Sequence, residues 1–192
     1  MRIMHKMPRV KLDPSESVLA VIDIQPVLTK TIEDADRVLQ RSAFLLQIAR
    51  LLEIPVLTTE QNPSRMGATH ENLAEWVQDP SPFSKMTFSA VGSPEFLSAL
   101  KATSRNKVVI VGMETHICVC HTACDLLDLG YEVVVCPDAV SSRNMERHKL
   151  GMERIRDAGA VPAHTESVAY EWLGSAENPA FKSALAIVKQ FA

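Results

Sequence analysis

Short apolar runs alternate with longer amphipathic segments along this chain, and this alternation constrains the fold more than any other feature. The short runs have the nearly continuous apolar character of buried parallel strands. They are 17–23, 54–60, 107–113, 131–138 and 160–165. The longer segments carry the spacing of amphipathic helices. They are 34–53, 93–102, 116–130, 143–159 and 178–192. The pattern predicts an α/β fold, with three α-β-α layers around a mostly parallel, Rossmann-like sheet.

Length and composition indicate one globular domain over residues 1–192, with a lead-in at 1–14 and a final helix at 178–192. Hydrophobic residues make up 46% of the 192 and charged residues 22%. The net charge of −3 and the scattered basic residues do not favour nucleic acid as a partner. No apolar run has membrane-spanning length, and no secretory signal is recognisable. We expect a cytoplasmic protein with reduced cysteines.

The least regular stretch, residues 61–92, is a long excursion between the second and third predicted strands. It contains prolines and glycines, and we expect a short helix around 70–77 and a short strand near Lys85. Long connections in compact α/β domains often carry function. Ligands bind at the carboxyl ends of parallel strands, which selects Asp23, Glu60, the stretch after Val111, and Asp138.

Three of the four cysteines lie in one stretch, "GMETHICVCHTACD", which follows the third predicted strand. With Gly112 ending the strand and Thr115 as helix N-cap, Cys118 takes the third helical position. There the helix dipole lowers a thiol pKa, so Cys118 is the candidate nucleophile. Cys120 and Cys124 share a deeper helical face and are interpreted as packing residues.

Other interpretations of these cysteines are weaker. A zinc site would need Cys118, Cys120, His116 and His121 to converge, yet all four lie in one helix and point to different sides. The C-x-x-C pattern of thioredoxin-like redox sites is absent. As a base, Asp23 is a better candidate than His148 or His70, which are more often surface residues. A capping role explains Asp23 equally well from sequence. For Lys85, the local sequence alone favours an ordinary surface lysine.

Three segments occur in an informative order: "AVIDIQ" with Asp23 and Gln25, "SKMTFSA" with Lys85 and Phe88, and "GMETHICVCHTACDLL" with Cys118. Together they resemble the isochorismatase-like cysteine hydrolase superfamily over about residues 15 to 175. "ARLLEIPVLTTEQNP" and "DLLDLGYEVVVCPDAVSSR" resemble its isochorismatase domain-containing subgroup, whose substrates are unassigned.

The resemblance implies a catalytic triad of Asp23, Lys85 and Cys118. It also implies a cis peptide between Met113 and Glu114, which aims the backbone N–H groups of Glu114 and Cys118 at an oxyanion. The implied reaction is hydrolysis of an amide, carbamoyl or related bond of a small molecule through a Cys118 thioester. Homo-oligomers are common in the family.

Gln25, Glu60 and Phe88 are candidate substrate-pocket residues by their position in the sequence.

The chain also departs from family patterns. Metal-binding nicotinamidases carry an aspartate and several histidines after the second strand, where this chain has only His70, so we expect no metal and no cofactor. Authentic isochorismatases lack the nucleophilic cysteine. Two other functions stay open. One is a catalytically silent oligomeric scaffold or binding protein, and the other is a redox sensor using Cys118 and Cys120.

Overall fold

A computed structural model describes residues 10–77 and 81–191. Its strands are β1 (Ser17–Ile22), β2 (Val56–Gln61), β3 (Phe83–Lys85), β4 (Lys107–Met113), β5 (Glu132–Ser141) and β6 (Val161–Pro162). Its helices are α1 (Pro26–Thr29), α2 (Ala35–Leu51), α3 (Pro63–Met66), α4 (Glu71–Ala74), α5 (Pro94–Ala102), α6 (Cys120–Asp128), α7 (Met145–Asp157), α8 (Thr165–Leu173) and α9 (Phe181–Gln190). Together they form one three-layer α/β domain, which confirms the predicted fold class.

All six strands pair in parallel, in the order β3-β2-β1-β4-β5-β6. The chain therefore builds outward from β1 in one direction and then, from β4, in the other. Ile22 at the end of β1 lies opposite both Thr59 of β2 and Gly112 of β4. The carboxyl ends of these central strands consequently meet at the switch point of the sheet, where open parallel sheets bind ligands.

Two apolar clusters cover the sheet, one on each face, and β1 is buried along its whole length. On one face, α2, α4, α8 and α9 pack against alternate β1 residues such as Leu19 and Val21. On the other, α5, α6 and α7 pack against Val18, Ala20 and Ile22. This burial on both sides explains why the strands read as continuous apolar runs.

Several predicted boundaries are wrong. The strand predicted at 160–165 is reduced to Val161–Pro162, and Thr165 instead begins α8, which was not predicted. The Asp138 carboxylate accepts hydrogen bonds from the Thr165 backbone N–H and hydroxyl, which fixes the start of that helix. β5 runs on to Ser141 past a register irregularity opposite β4.

At the two ends of the chain, the predictions differ from the structure or fall partly outside it. The final helix, predicted over 178–192, spans Phe181–Gln190. Residues 1–9 of the predicted lead-in lie outside the described part of the chain. Within the excursion, the expected short helix and short strand are α4 and β3.

Among the described glycines, Gly112 leaves the least room for a side chain. Its φ is +134°, and a Cβ added there would lie 2.1 Å from the Ile22 carbonyl oxygen. Only glycine fits, because both the backbone conformation and the neighbouring strand exclude a side chain. The missing side chain lets the end of β4 lie against β1, and the Cys118 turn begins directly after it.

We expect Gly112→Ala to lower the free energy of unfolding by about 3 kcal/mol, because strain and overlap with β1 add together. Gly130→Ala is the matched control: its φ is +86°, but an added Cβ meets nothing within 4 Å. That change should cost about 1 kcal/mol. Urea denaturation of both variants measures the difference, and equal losses would contradict the steric argument.

Candidate active site

Asp23, Lys85 and Cys118 come together at the carboxyl edge of the sheet. Asp23 follows β1, Lys85 is the last residue of β3, and Cys118 lies in the helical turn after β4. The Lys85 Nζ is 2.6 Å from Asp23 Oδ2, and neither side chain is exposed to solvent. The Cys118 thiol is 7% exposed and lies close enough to Asp23 and Lys85 for both charges to shift its pKa. A buried acid, cation and thiol in contact form an arrangement suited to nucleophilic catalysis.

Asp23 is fixed by its neighbour on β2. Its φ of 51° is left-handed, a conformation that aspartate tolerates better than most residues. Its backbone N–H donates to the Thr59 carbonyl at 3.1 Å, and the Thr59 hydroxyl donates to Asp23 Oδ1 at 2.8 Å. Lys85 contacts the other carboxylate oxygen, so both oxygens are held in place.

The Lys85 ammonium is surrounded by acceptors. Besides Asp23, it donates to Gln61 Oε1 at 2.7 Å and to the carbonyls of Phe88 and Thr87 at 3.1 and 3.2 Å. A buried cation is stable only when it is paired and hydrogen-bonded. The sequence-based interpretation of Lys85 as a surface residue is therefore wrong, because the excursion returns to the sheet and folds over this side chain.

The nucleophile turn differs from the predicted one. A π-helical turn spans Thr115–Val119 before α6 begins, and the Glu114 carbonyl accepts hydrogen bonds from the backbone N–H groups of Ile117 and Val119. Thr115 is not the N-cap, since its buried hydroxyl is 3.0 Å from His148 Nδ1. The Met113–Glu114 peptide bond is cis.

The Cys118 thiol is not acidified as the helix-dipole argument predicts. Burial, reinforced by the Asp23 charge, raises the pKa of Cys118 to about 12, and Lys85 offsets only part of this effect. The dipole argument failed because the turn buries the sulfur and places it beside a carboxylate. At neutral pH Cys118 is therefore a neutral thiol beside its candidate base.

Two histidines hold the π-helical turn in place through side-chain hydrogen bonds. His148, expected at the surface, is buried, and its burial together with the Arg37 and Lys149 charges lowers its pKa. His116 Nδ1 lies 3.0 Å from Ser142 Oγ, and burial is the main cause of its lowered pKa. Both rings anchor the nucleophile segment to the part of the chain around α7.

The three candidate pocket residues lie in different environments. Gln25 is buried, and its amide is used entirely in backbone hydrogen bonds to Gln61 and Gly67. Phe88 has a 56% exposed ring near the site, in edge contact with His121. Glu60 is not brought to Asp23 and Lys85. It points to the opposite face of the sheet and accepts from the Thr69 N–H and hydroxyl.

Sequence reasoning missed Thr59 and Gln61, the two β2 residues that contact Asp23 and Lys85 directly. The period of two along β2 was the available signal: Leu57 belongs to the apolar cluster on the Cys118 face, so 59 and 61 share that face and Glu60 does not. Arg143 was also missed. Its backbone N–H and Nε both donate to Glu114 Oε2, at 3.0 and 3.1 Å.

The other cysteines are core residues. Cys120 and Cys136 are buried and Cys124 is half-buried, and all four thiols of the chain are free. Cys124 lies one helical turn from Cys120 and acts on its titration, whereas Asp23 acts on that of Cys118. Within residues 10–77 and 81–191, no three His, Cys, Asp or Glu side chains cluster as metal ligands. His70 instead caps α4 through its Nδ1.

Comparison with known proteins gives a consistent result. The isochorismatase domain model matches residues 17–167. The secreted isochorismatase effector Isc1 of Phytophthora sojae is 36% identical over 185 residues, covering 94% of this chain and 88% of that protein. Isochorismatase domain-containing protein 2 of Xenopus laevis is 35% identical over 181 residues, covering 94% of this chain and 87% of that protein. These matches confirm the resemblance inferred from the sequence.

Solved structures support the same fold. The MAR1 ribonuclease from Caenorhabditis elegans superposes with a TM-score of 0.89 at 32% identity, covering 94% of this chain and 93% of that one. The YcaC gene product of Escherichia coli, described as an octameric hydrolase of unknown specificity, also gives a TM-score of 0.89. It is 23% identical, with coverage of 96% and 91%, and its likeness bears on the fold alone.

The contacts of Cys118 predict an unusual response to Asp23→Asn. Removing the carboxylate charge lowers the pKa of the Cys118 thiol. Alkylation of Cys118 by iodoacetamide at pH 8 should therefore become roughly tenfold faster for each unit by which this pKa falls. Peptide-resolved mass spectrometry measures the rate, with Cys124 as internal reference. Asp128→Asn, an exposed change at the end of α6, is the matched control and should leave it unchanged. Slower labelling in Asp23→Asn would contradict the assigned effect of the Asp23 charge on Cys118.

Proposed function

This chain belongs to the isochorismatase family, and we propose that it is a cofactor-free cysteine hydrolase of a small amide, carbamoyl compound or related carbonyl compound. The hydrolase fold of the family agrees with this activity. The observation that carries the proposal is the buried Asp23–Lys85 ion pair, whose two charges act on the neighbouring Cys118 thiol. No packing role explains why an acid, a cation and a thiol share one buried site.

In the proposed first step, Asp23 accepts the thiol proton as the Cys118 sulfur attacks the substrate carbonyl carbon. Because the thiol is neutral at rest, proton transfer and attack are coupled, and the base must already be in contact with the sulfur. The positive charge of Lys85 stabilises the negative charge that passes from carboxylate to sulfur. A tetrahedral intermediate forms, with one new carbon–sulfur bond.

The oxyanion of that intermediate is assigned to the backbone N–H groups of Glu114 and Cys118. The cis bond precedes Glu114, and the π-helical turn carries Cys118. Arg143 holds the Glu114 side chain by two hydrogen bonds, which keeps this donor from reorienting. Preorganised donors of this kind are worth about 2.7–4 kcal/mol of transition-state stabilisation each.

Collapse of the intermediate completes acylation. The carbon–nitrogen bond breaks, and the leaving amine takes the proton from Asp23, so that a Cys118 thioester and a free amine remain. Water then attacks the thioester while Asp23 accepts its proton. The tetrahedral adduct expels the sulfur, which regains a proton from Asp23, and a carboxylic or carbamic acid leaves.

Assembly, location and substrate class are part of the same proposal. We infer a homo-oligomer, as the family resemblance implies. A cytoplasmic location stays a prediction, since one relative is described as a secreted effector. Among the described residues, no helix has the length and apolarity to cross a membrane. One relative is described as a ribonuclease, so RNA belongs in the substrate screen.

We expect Cys118→Ala to abolish hydrolysis, with a loss of at least about 10³-fold, because no other group can form the acyl intermediate. The assay is ammonia release from a panel of small primary amides and N-carbamoyl compounds. Para-nitrophenyl acetate serves as a general acylating probe. It should give a burst of nitrophenolate and an acetyl mass on the Cys118 peptide.

Cys124→Ser is the matched control, since this half-buried thiol lies away from Asp23, and it should keep the burst. Acylation of Cys118 without turnover on any compound of the panel would favour a binding protein that retains a reactive site. An equal burst in Cys118→Ala would overturn the cysteine mechanism. Cleavage of RNA that survives Cys118→Ala would point to a different site altogether.

A further inference from the structure

We propose that Gln61 is a positioning residue that fixes the Lys85 ammonium within electrostatic range of Cys118 without adding a charge to the site. Gln61 lies directly opposite Lys85 where β2 pairs with β3, so the two side chains share one face of the sheet. Its Oε1 accepts from Lys85 Nζ at 2.7 Å, almost as close as the Asp23 contact. This inference rests on the proposed function, because it assigns a role within that site.

The hydrogen bond of the Gln61 amide nitrogen determines the orientation of the amide. Its Nε2 donates to the Met86 carbonyl at 3.1 Å, which turns Oε1 toward Lys85. A carboxylate at this position cannot make the Met86 bond, since it has no N–H to donate. The pair of contacts therefore specifies glutamine rather than glutamate, although both have the same length.

The backbone of Gln61 is itself held by a second glutamine. Gln25 Oε1 accepts from the Gln61 N–H at 2.8 Å, and Gln25 Nε2 donates to the Gln61 carbonyl at 3.2 Å. The same Nε2 donates to the Gly67 carbonyl at 2.5 Å. The buried Gln25 amide thus pairs with Gln61 as a neighbouring strand would, beyond the end of β1. This contact assigns Gln25 to the support of Lys85 rather than to the substrate.

The charge of the site explains why a neutral acceptor is needed. The charged groups that act on Cys118 are Asp23, Lys85 and Glu114, and Arg143 forms a salt bridge with Glu114. Lys85 is the only one of these three that favours the thiolate. A second carboxylate bound to its ammonium would cancel this effect, whereas the Gln61 carbonyl oxygen holds Lys85 in place and leaves its charge available.

The test measures thiol reactivity, which does not require a known substrate. Iodoacetamide labelling of Cys118 is followed between pH 8 and 10 by peptide-resolved mass spectrometry, in the wild type, Gln61→Glu and Gln61→Met. We expect Gln61→Glu to slow labelling about tenfold or more, since each unit of rise in thiol pKa removes about nine-tenths of the thiolate. Gln61→Met loses the acceptor without adding charge and should slow labelling less, by a few fold.

Gln40→Glu is the matched control: it makes the same substitution at an exposed position of α2, and Cys118 labelling should not change. Thermal melting establishes that each variant is folded. If Gln61→Glu is unfolded, Gln61→Met decides alone. Wild-type labelling rates in the folded Gln61 variants would overturn the positioning role.

Hydrolysis provides a separate readout. With para-nitrophenyl acetate, Gln61→Met should lower the acylation rate of Cys118 more than it raises KM, because the side chain acts through Lys85 rather than on the substrate. A change in KM alone would overturn the assignment. If the wild type does not acylate, the proposed function fails, yet the labelling comparison still decides the role of Gln61.

Discussion

The buried ion pair between Asp23 and Lys85 is the constraint on which the rest of the site depends. Neither side chain is exposed, and burying two charges costs several kcal/mol per ion before their attraction is counted. The pair is stable here because every part of it is hydrogen-bonded, by Thr59 on one side and by Gln61 and two backbone carbonyls on the other. Those partners come from β2 and from the segment after β3, so the charges are compensated only when the sheet is formed in the correct register.

The register of the strands consequently determines which groups meet in the site. Ile22 pairs with Thr59, which places the Thr59 hydroxyl beside Asp23, and Gln61 pairs with Lys85. On the other side of β1, the absence of a side chain at Gly112 lets β4 approach closely enough to present the Cys118 turn to the same carboxylate. A shift of one residue in either pairing would turn these groups to the opposite face and leave two charges buried without partners.

How far the sequence predicts this arrangement depends on the kind of feature. Periodicity predicted the sheet and most helices, because burial on both faces imposes an apolar pattern that is visible residue by residue. It did not predict α8, whose start depends on the distant Asp138. For β2, the strand was predicted correctly, but the alternation of its side chains between the two faces was not used. Glu60 was therefore selected instead of Thr59 and Gln61. The pKa of Cys118 was predicted in the wrong direction because desolvation and an adjacent acid belong to tertiary structure, whereas the helix dipole can be read locally.

The residues that hold Lys85 and Gln61 through their backbone carbonyls differ from Lys85 in exposure, because their side chains reach the surface. Lys85 is 3% exposed, but Met86 immediately after it is 71% exposed, and Phe88 is 56% exposed. The backbone carbonyls of Met86 and Phe88 are tied to Gln61 and Lys85, while their side chains face outward. Substitutions of these side chains therefore alter what meets the site without disturbing the backbone bonds that hold the ammonium. A scaffold of this kind allows the exposed rim to change while the buried groups stay in place.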